Sequence, residues 1–380
     1  MLRFVSSTGK PLPSSPKGHI GEVDNLRGLA IALTAVAHIN LAMPVVPVWL
    51  RHLYGISEYW SGVYLFFVIS GFVISRGFSE AFEQDTLRAW REFYIRRFFR
   101  IVPPALFWIS VTLLIALVFN FHNVFGIFEK NVVQGAAASI FAYNFVFHRW
   151  TATFGIYWSL SLEEQFYLAF PAIHFLSRRW RYWLLVSIIA ALFFVRRPAG
   201  TLPVFLPVDA LAWGVLIAAA HRSGIAKLPT FLFDSRWRRA NQIACVAAII
   251  LIPSWLKSLT PCTSLMTLVC AWIVYCASFD RKFMEIGGEW FRIAGIVSFS
   301  AYLCHTTCLL LSKEVALWFG RHDGLVLAVQ DIFSSLLGVS LAVVCAVMSY
   351  HYIERPCREY GAKLANRNRV GYPVSHELVP

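Results

Sequence analysis

Apolar runs separated by short charged turns dominate the chain. They recur at about residues 26–46, 57–76, 99–120, 157–176, 182–196, 203–220, 240–256, 262–279, 296–312 and 326–352. Runs of roughly 17–25 apolar residues are long enough to cross ~30 Å of hydrocarbon as helices. The pattern predicts an all-α, polytopic integral membrane protein with about ten transmembrane helices. One further run, Gly135–Phe147, has only 13 residues, a length that suits an interfacial or re-entrant piece better than a span.

Composition agrees with the pattern. The 380 residues are 58% hydrophobic and 14% charged, against about 25% charged in soluble domains, and the mean hydropathy is +0.59. The net charge of +13 raises nucleic acid as a partner, but its placement argues against that reading. With the N-terminus inside and ten spans, 26 of the 34 Lys and Arg fall in inside segments and 8 in outside ones. This is the asymmetry that orients a membrane protein, and it predicts that both termini are cytoplasmic. Making Gly135–Phe147 a full span would invert everything after it. Residues 1–20, rich in Ser, Pro and Gly, read as a disordered cytoplasmic tail; residues 21–356 form the membrane domain, and residues 357–380 a short basic cytoplasmic tail. No secretory signal peptide and no internal repeat stand out. The eight cysteines form no C-x-x-C pair and read as small hydrophobes, so neither a metal site nor a disulfide framework is expected.

Ionisable residues inside the membrane are costly, by at least ~2.5 kcal/mol each, and mark candidate sites. In the first run, Arg27 and His38 are eleven residues apart. That is about three turns and roughly 16.5 Å of rise, so the two share a helix face, with the arginine at the inner edge and the imidazole near mid-membrane. An anionic head group at the arginine, joined by an arm of about 15–20 Å to a group at the histidine, matches that rise; coenzyme A has this shape. The segment "FYIRRFFRIVPP" sets Arg97 and Arg100 one turn apart before Pro103 and Pro104, and arginine suits bidentate phosphate contacts. Both features also have ordinary readings, a hydrogen-bonded core histidine and positive-inside anchoring. Ser70-Gly71 permits close approach of a backbone or a ligand.

Glu163 and Glu164 lie side by side in "YWSLSLEEQFYLAFP", with Glu163 about 9 Å below the outer surface. Neighbouring helical residues differ by about 100°, so one is expected to orient a histidine and the other to close a network with an arginine. Tyr302 and His305, in "SFSAYLCHTT", share a face; His305 reads as a substrate contact or as a packed neutral imidazole. Glu354, in "YIERPCREY", is expected to pair with a loop arginine.

Together these segments resemble the membrane-bound acyltransferase family 3, which includes bacterial O-acetyltransferases of surface and secreted glycans. The resemblance runs from about Val23 to Pro356. It rests on Arg27 and His38, "FFVISGF" at 66–72, "RRFFR" at 96–100, "WSLSLEEQFY" at 158–167 and "SAYLCH" at 300–305. It implies a protein of the bacterial cytoplasmic membrane that takes acyl-CoA, usually acetyl-CoA, from the cytoplasm and passes the acyl group to a glycan hydroxyl across the bilayer. Arg27, Arg97 and Arg100 would hold the CoA phosphates. His38 would be the general base or a transient acyl carrier, with Glu163 or Glu164 fixing its tautomer, and Ser70, Tyr302 and His305 would contact substrate. Two positions depart from the family pattern. Tyr64 stands where an acid is common, and Pro207 occupies the neighbourhood of a usual arginine, with Asp209 retained. Some members append a periplasmic esterase-like domain; the chain ends too soon for one, so acceptor transfer is expected to fall to the membrane core or a separate protein. The rival reading is a transporter or flippase of a glycan lipid, which would also use intramembrane charges but perform no chemistry.

Overall fold

The structure, a computed structural model, describes residues 20–146, 151–195, 197, 207–256, 259–284, 286–320 and 324–366. Among them every regular element is helical and there is no strand. Helices α1 (Gly21–His38) and α2 (Val48–Ile56) precede the long pair α3 (Ser61–Gln84) and α4 (Thr86–Val118). Then follow α5 (Phe128–Ser139), α6 (Tyr157–Ala169), α7 (Arg178–Phe193), α8 (Val208–Arg222), α9 (Ser235–Trp255) and α10 (Cys262–Ala277). Helices α11 (Gly288–Ile296), α12 (Ser298–Trp318), α13 (Gly324–Ser349) and α14 (Arg355–Asn366) close the described chain.

Segments within Gly21–Ala42, Ser61–Phe78, Thr86–Val118 and Val326–Asn366 are long and apolar enough to cross a membrane; α11 and α12, bent by 80°, make a fifth crossing if read as one broken span. Length and hydropathy thus support four or five crossings, fewer than the ten expected. The difference has a local cause. Helices form at the remaining positions, but α6, α7, α8 and α10 have 13, 16, 15 and 16 residues, a rise of about 20–24 Å. Part of the apolar sequence goes into turns, such as the 3₁₀ turn Ala172–Phe175 after Pro171. At the short run Gly135–Phe147 the chain forms α5, which starts seven residues upstream, and a 3₁₀ turn at Tyr143–Phe145; Phe147 lies outside the described residues. Large apolar side chains such as Leu114 (60% exposed) and Val343 (58%) face outward, as lipid-facing helices require. The molecule is a multi-pass membrane protein in its helical content and surface. All eight cysteines are free.

Pro103 and Pro104 lie inside a helix: α4 runs 33 residues through both. Lacking N–H groups, they leave the carbonyls of Phe99 and Arg100, four residues earlier, without their intrahelical donors. The segment expected as a C-terminal tail from residue 357 is helical at its start. Residues 355–366 form α14, which lies on α4: Tyr360 meets Phe99 with ring centroids 5.1 Å apart, and Gly361 lies so close to Phe99 that an added Cβ would sit 2.6 Å from its Cβ. Residues 1–19 of the predicted N-terminal tail lie outside the described residues.

Glycines set the two closest helix crossings. A Cβ on Gly71 of α3 would lie 2.1 Å from the Leu211 carbonyl oxygen of α8, and one on Gly214 of α8 would lie 2.2 Å from that of Val68. Gly28 of α1 and Gly295 of α11 meet the Phe291 and Asp24 carbonyl oxygens in the same reciprocal way, at 2.0 and 1.8 Å. Small residues at such crossings let backbones touch where no hydrophobic drive exists between helices in lipid. Beside the α3–α8 crossing, Arg197 and Asp209 form a fully buried pair, with Nη2–Oδ2 2.7 Å and Nη1–Oδ1 3.2 Å. Arg197 stands twelve residues before Asp209, and Tyr64 is buried against the same pair.

Gly71→Ala is expected to destabilise the protein by about 1–3 kcal/mol through overpacking. Gly77→Ala, in the same helix with nothing within 4 Å of its Cβ, is expected to leave the thermal midpoint unchanged or higher; melts in detergent compare the two. Asp209→Ala, which strands a buried guanidinium, is expected to cost about 3–5 kcal/mol in the same assay.

Candidate active site

Three cavities share walls, and the second and third of them lie along α1. The first lies between the end of α3, the start of α4 and α14. It has a volume of about 280 Å³ and is lined by Arg96, Arg97, Arg100 and Arg358, with Glu92 among them. The second, about 70 Å³, is lined by Arg27, Ser70, Arg100, Glu163 and Tyr302. The third, about 340 Å³, is lined by His38, Thr34, Trp60, Thr151, Trp158 and Tyr302. Arg100 belongs to the first two; Val63 and Tyr302 belong to the second and third. Arg27 and His38, on one helix face, therefore look into successive chambers, about 16.5 Å of helix rise apart.

The arginines differ in how they are satisfied. Arg96 pairs with Glu92 at 2.8 Å, as does Arg88 at 2.9 Å. Arg27 pairs with Asp24 at 3.1 Å. Arg97 stacks over Tyr167 at 4.7 Å and Phe93 at 5.8 Å, with only a 3.5 Å contact to the Tyr167 hydroxyl. Arg100 has no hydrogen bond and no ion pair among the described residues, although it faces two cavities and shares one of them with Glu163. A guanidinium left unpaired inside a helical bundle costs several kcal/mol, so an anion held there would recover much of that cost. Glu354, buried on a single π turn at Tyr350–Glu354, accepts from Ser300 Oγ at 2.7 Å. Among the described residues it forms no ion pair with an arginine, and Arg100 and Arg358 act on it only through space. Single π turns recur at functional sites.

Glu163 does not touch His38. Ser159, Glu163 and Tyr167 stand four residues apart on one face of α6, and the Glu163 carboxylate accepts from Ser70 Oγ and the Tyr167 hydroxyl. Ser70 is accordingly a partner of Glu163. Glu164 points about 100° away, and its Oε1 is buried with no hydrogen-bond partner among the described residues. The expectation that one glutamate fixes the tautomer of His38 fails for this reason: the face of α6 that carries Glu163 meets α3 and the arginines.

His38 is instead held by its own helix and by α12. It ends α1 with φ −108° and ψ 0°, where the chain tightens into the 3₁₀ turn Ile39–Ala42. That sparsely populated backbone region is common among active-site residues. Its Nδ1 lies 2.8 Å from the Thr34 carbonyl and 3.4 Å from His305 Nε2. A carbonyl only accepts, so Nδ1 carries the hydrogen; Nε2 has no partner among the described residues. His38 thus offers a bare ring nitrogen to the third cavity. Tyr302 separates this cavity from the second, its hydroxyl donating to the Ile156 carbonyl at 3.0 Å and paired with Ser159 Oγ at 2.6 Å. His305 is buried and lines none of the three cavities.

Of the residues expected from sequence, Arg27, Arg100, Ser70, Glu163 and Tyr302 meet around one chamber, while Arg97 and His38 lie in the chambers on either side. Arg96, Arg358, Tyr167, Trp60 and Trp158 were not foreseen. Tyr167 carried a signal, its four-residue spacing from Glu163; the two arginines read as ordinary inside charge.

Residues 20–351 match the family described as "Acyltransferase domain". Curated relatives include the "Peptidoglycan O-acetyltransferase OatA" of Listeria monocytogenes, 25% identical over 90% of this chain and 56% of its own length. Another is the "Putative peptidoglycan O-acetyltransferase YrhL" of Bacillus subtilis, 25% identical over 92% and 56%. The "O-acetyltransferase OatA" of Staphylococcus aureus is 25% identical over 92% and 58%. The chain spans a little over half the length of these relatives. No solved structure matches it significantly. With the family matched over most of its length, and with a bare imidazole nitrogen and an arginine-lined chamber in place, the chain belongs to the acyltransferase family 3 that its motifs resemble.

Proposed function

We propose that this protein is an integral membrane O-acyltransferase that moves an acyl group, acetyl by its relatives' names, from cytoplasmic acyl-CoA to a hydroxyl of an envelope glycan of the peptidoglycan kind. The observation that carries this reading is Arg100: an unpaired guanidinium at the junction of two chambers that lead along α1 to His38. Arg97, Arg100 and Arg358 would hold the donor's phosphates, and Arg27 would line the narrow second chamber through which the pantetheine arm passes. Charge-assisted and bidentate contacts make such a cluster strong for phosphate. The third chamber, with Trp60, Trp158, Thr34 and Thr151 beside His38, would receive the acceptor sugar; aromatic faces with a few hydroxyls suit a pyranose ring. The positive-inside distribution of Lys and Arg supports ten crossings with both termini and the arginine chamber on the cytoplasmic side of a bacterial inner membrane.

In the reaction, His38 Nε2 takes the proton of the acceptor hydroxyl as its oxygen forms a bond to the thioester carbonyl carbon. The carbon–sulfur bond then breaks, the thiolate leaves with the electron pair, and His38 returns the proton to the sulfur. Holding both substrates against one nitrogen supplies much of the rate. Glu163, fixed by Ser70 and Tyr167, lines the second chamber beside Arg27 and Arg100.

Proteoliposomes given labelled acetyl-CoA on one face and a soluble muropeptide on the other are expected to transfer label to the sugar. His38→Ala is expected to abolish transfer while leaving the protein extractable and folded. Label that stays on CoA with the wild-type protein points to transport without chemistry. Arg100→Ala is expected to weaken acyl-CoA binding by about 10–100-fold, the worth of one or two charged hydrogen bonds; calorimetry on the purified protein that finds an unchanged Kd removes Arg100 from the phosphate site.

A further inference from the structure

The two imidazoles of the bundle core are ordered as a chain. His305 Nδ1 lies 2.8 Å from the Tyr302 carbonyl and 3.2 Å from that of Ala301. Both can only accept, so His305 carries its hydrogen on Nδ1, and its Nε2 is a bare lone pair. That lone pair faces His38 Nδ1 at 3.4 Å, with ring centroids 5.1 Å apart in an edge arrangement. His305 thus donates to carbonyls of its own helix, His38 Nδ1 donates toward the His305 lone pair, and the chain ends on the unprotonated Nε2 of His38. The supporting helix is braced where this matters: Thr307 of α12 bonds Thr112 of α4 at 2.7 Å, and Tyr302 is tied to α6.

We propose that His305 is a positioning residue for His38. Resting on the acyl-transfer reading above, it accepts the Nδ1 hydrogen of His38 together with the Thr34 carbonyl, which keeps Nε2 free to take a proton. When Nε2 takes the acceptor's proton, His38 carries a positive charge and its Nδ1–H becomes a stronger donor. The long 3.4 Å contact then has a lone pair to shorten toward. In serine hydrolases a carboxylate behind the catalytic histidine does this work; here the neighbour is a neutral imidazole, and no carboxylate contacts His38 among the described residues. His305 is buried at 3% exposure and lines no cavity, so it acts through His38 and not by touching substrate.

The test compares two replacements of similar size that differ in acceptor capacity. His305→Gln keeps an oxygen able to accept from His38 Nδ1 and is expected to hold kcat within about a factor of three. His305→Met has no comparable acceptor and is expected to lower kcat by on the order of 10–100-fold, with the KM for acetyl-CoA unchanged in both. Equal loss in the two variants, full activity in the Met variant, or a change confined to KM overturns the proposal. Should either variant fold poorly in detergent, ¹⁵N spectra of histidine-labelled wild-type protein decide: a bare Nε2 on His305 is expected, and a protonated one overturns the assignment. His38→Ala separates the two readings. Activity in that variant sinks the acyl-transfer mechanism itself, whereas an inactive His38→Ala with indistinguishable His305 variants sinks only the positioning role.

Discussion

A guanidinium without a carboxylate partner, enclosed among helices, is the constraint around which this site is arranged. Charge in such surroundings is tolerated when it is paired or when it awaits a ligand of opposite sign. Arg197 satisfies the first condition with Asp209, and Arg27 does so with Asp24. Arg100 has no such partner among the described residues, which leaves the second condition. It sits where two chambers share a wall, one turn from Arg97 and four residues before Pro104. The proline also leaves the Arg100 carbonyl without its helical donor. A phosphate there would meet fixed positive charge that needs no rearrangement to receive it.

The rest of the bundle serves to keep α1 in register with that arginine. Gly28 and Gly295 lock α1 to α11, and Gly71 and Gly214 lock α3 to α8. Each contact is backbone against backbone, so neither helix can slide without a clash. With α1 fixed, the eleven-residue spacing of Arg27 and His38 becomes a ruler of about 16.5 Å between the chamber that would hold charge and the one that would hold the reacting hydroxyl. The narrow second chamber and Tyr302 keep the two ends distinct. Separate chambers would suit the proposed transfer, in which donor and acceptor would come from opposite sides of a membrane.

Much of this was legible in the sequence, and the failures are instructive. The all-helical class follows from the apolar runs, and the cost of charge in lipid singles out Arg27, Arg100 and Glu163 as site candidates, which the structure brings around one chamber. What sequence missed came from two sources. Helix ends depend on turns that hydropathy does not register, hence the four short helices. Partners depend on which faces meet. Glu163 has the depth to reach His38, but its face of α6 turns toward Ser70 and Tyr167, leaving His305 as the neighbour. The amphipathic α14 had too little hydropathy to be read as part of the bundle, so Arg358 went unnoticed. Arg197 is twelve residues from Asp209 and outside any local motif.

The most direct measurement is a cryo-electron microscopy map of the protein in lipid nanodiscs with a non-hydrolysable thioether analogue of acetyl-CoA. The account places the analogue's phosphates against Arg97, Arg100 and Arg358, and the carbon next to its sulfur beside Nε2 of His38. Density for the phosphates elsewhere, or an acyl end that stops short of the imidazole, would contradict it.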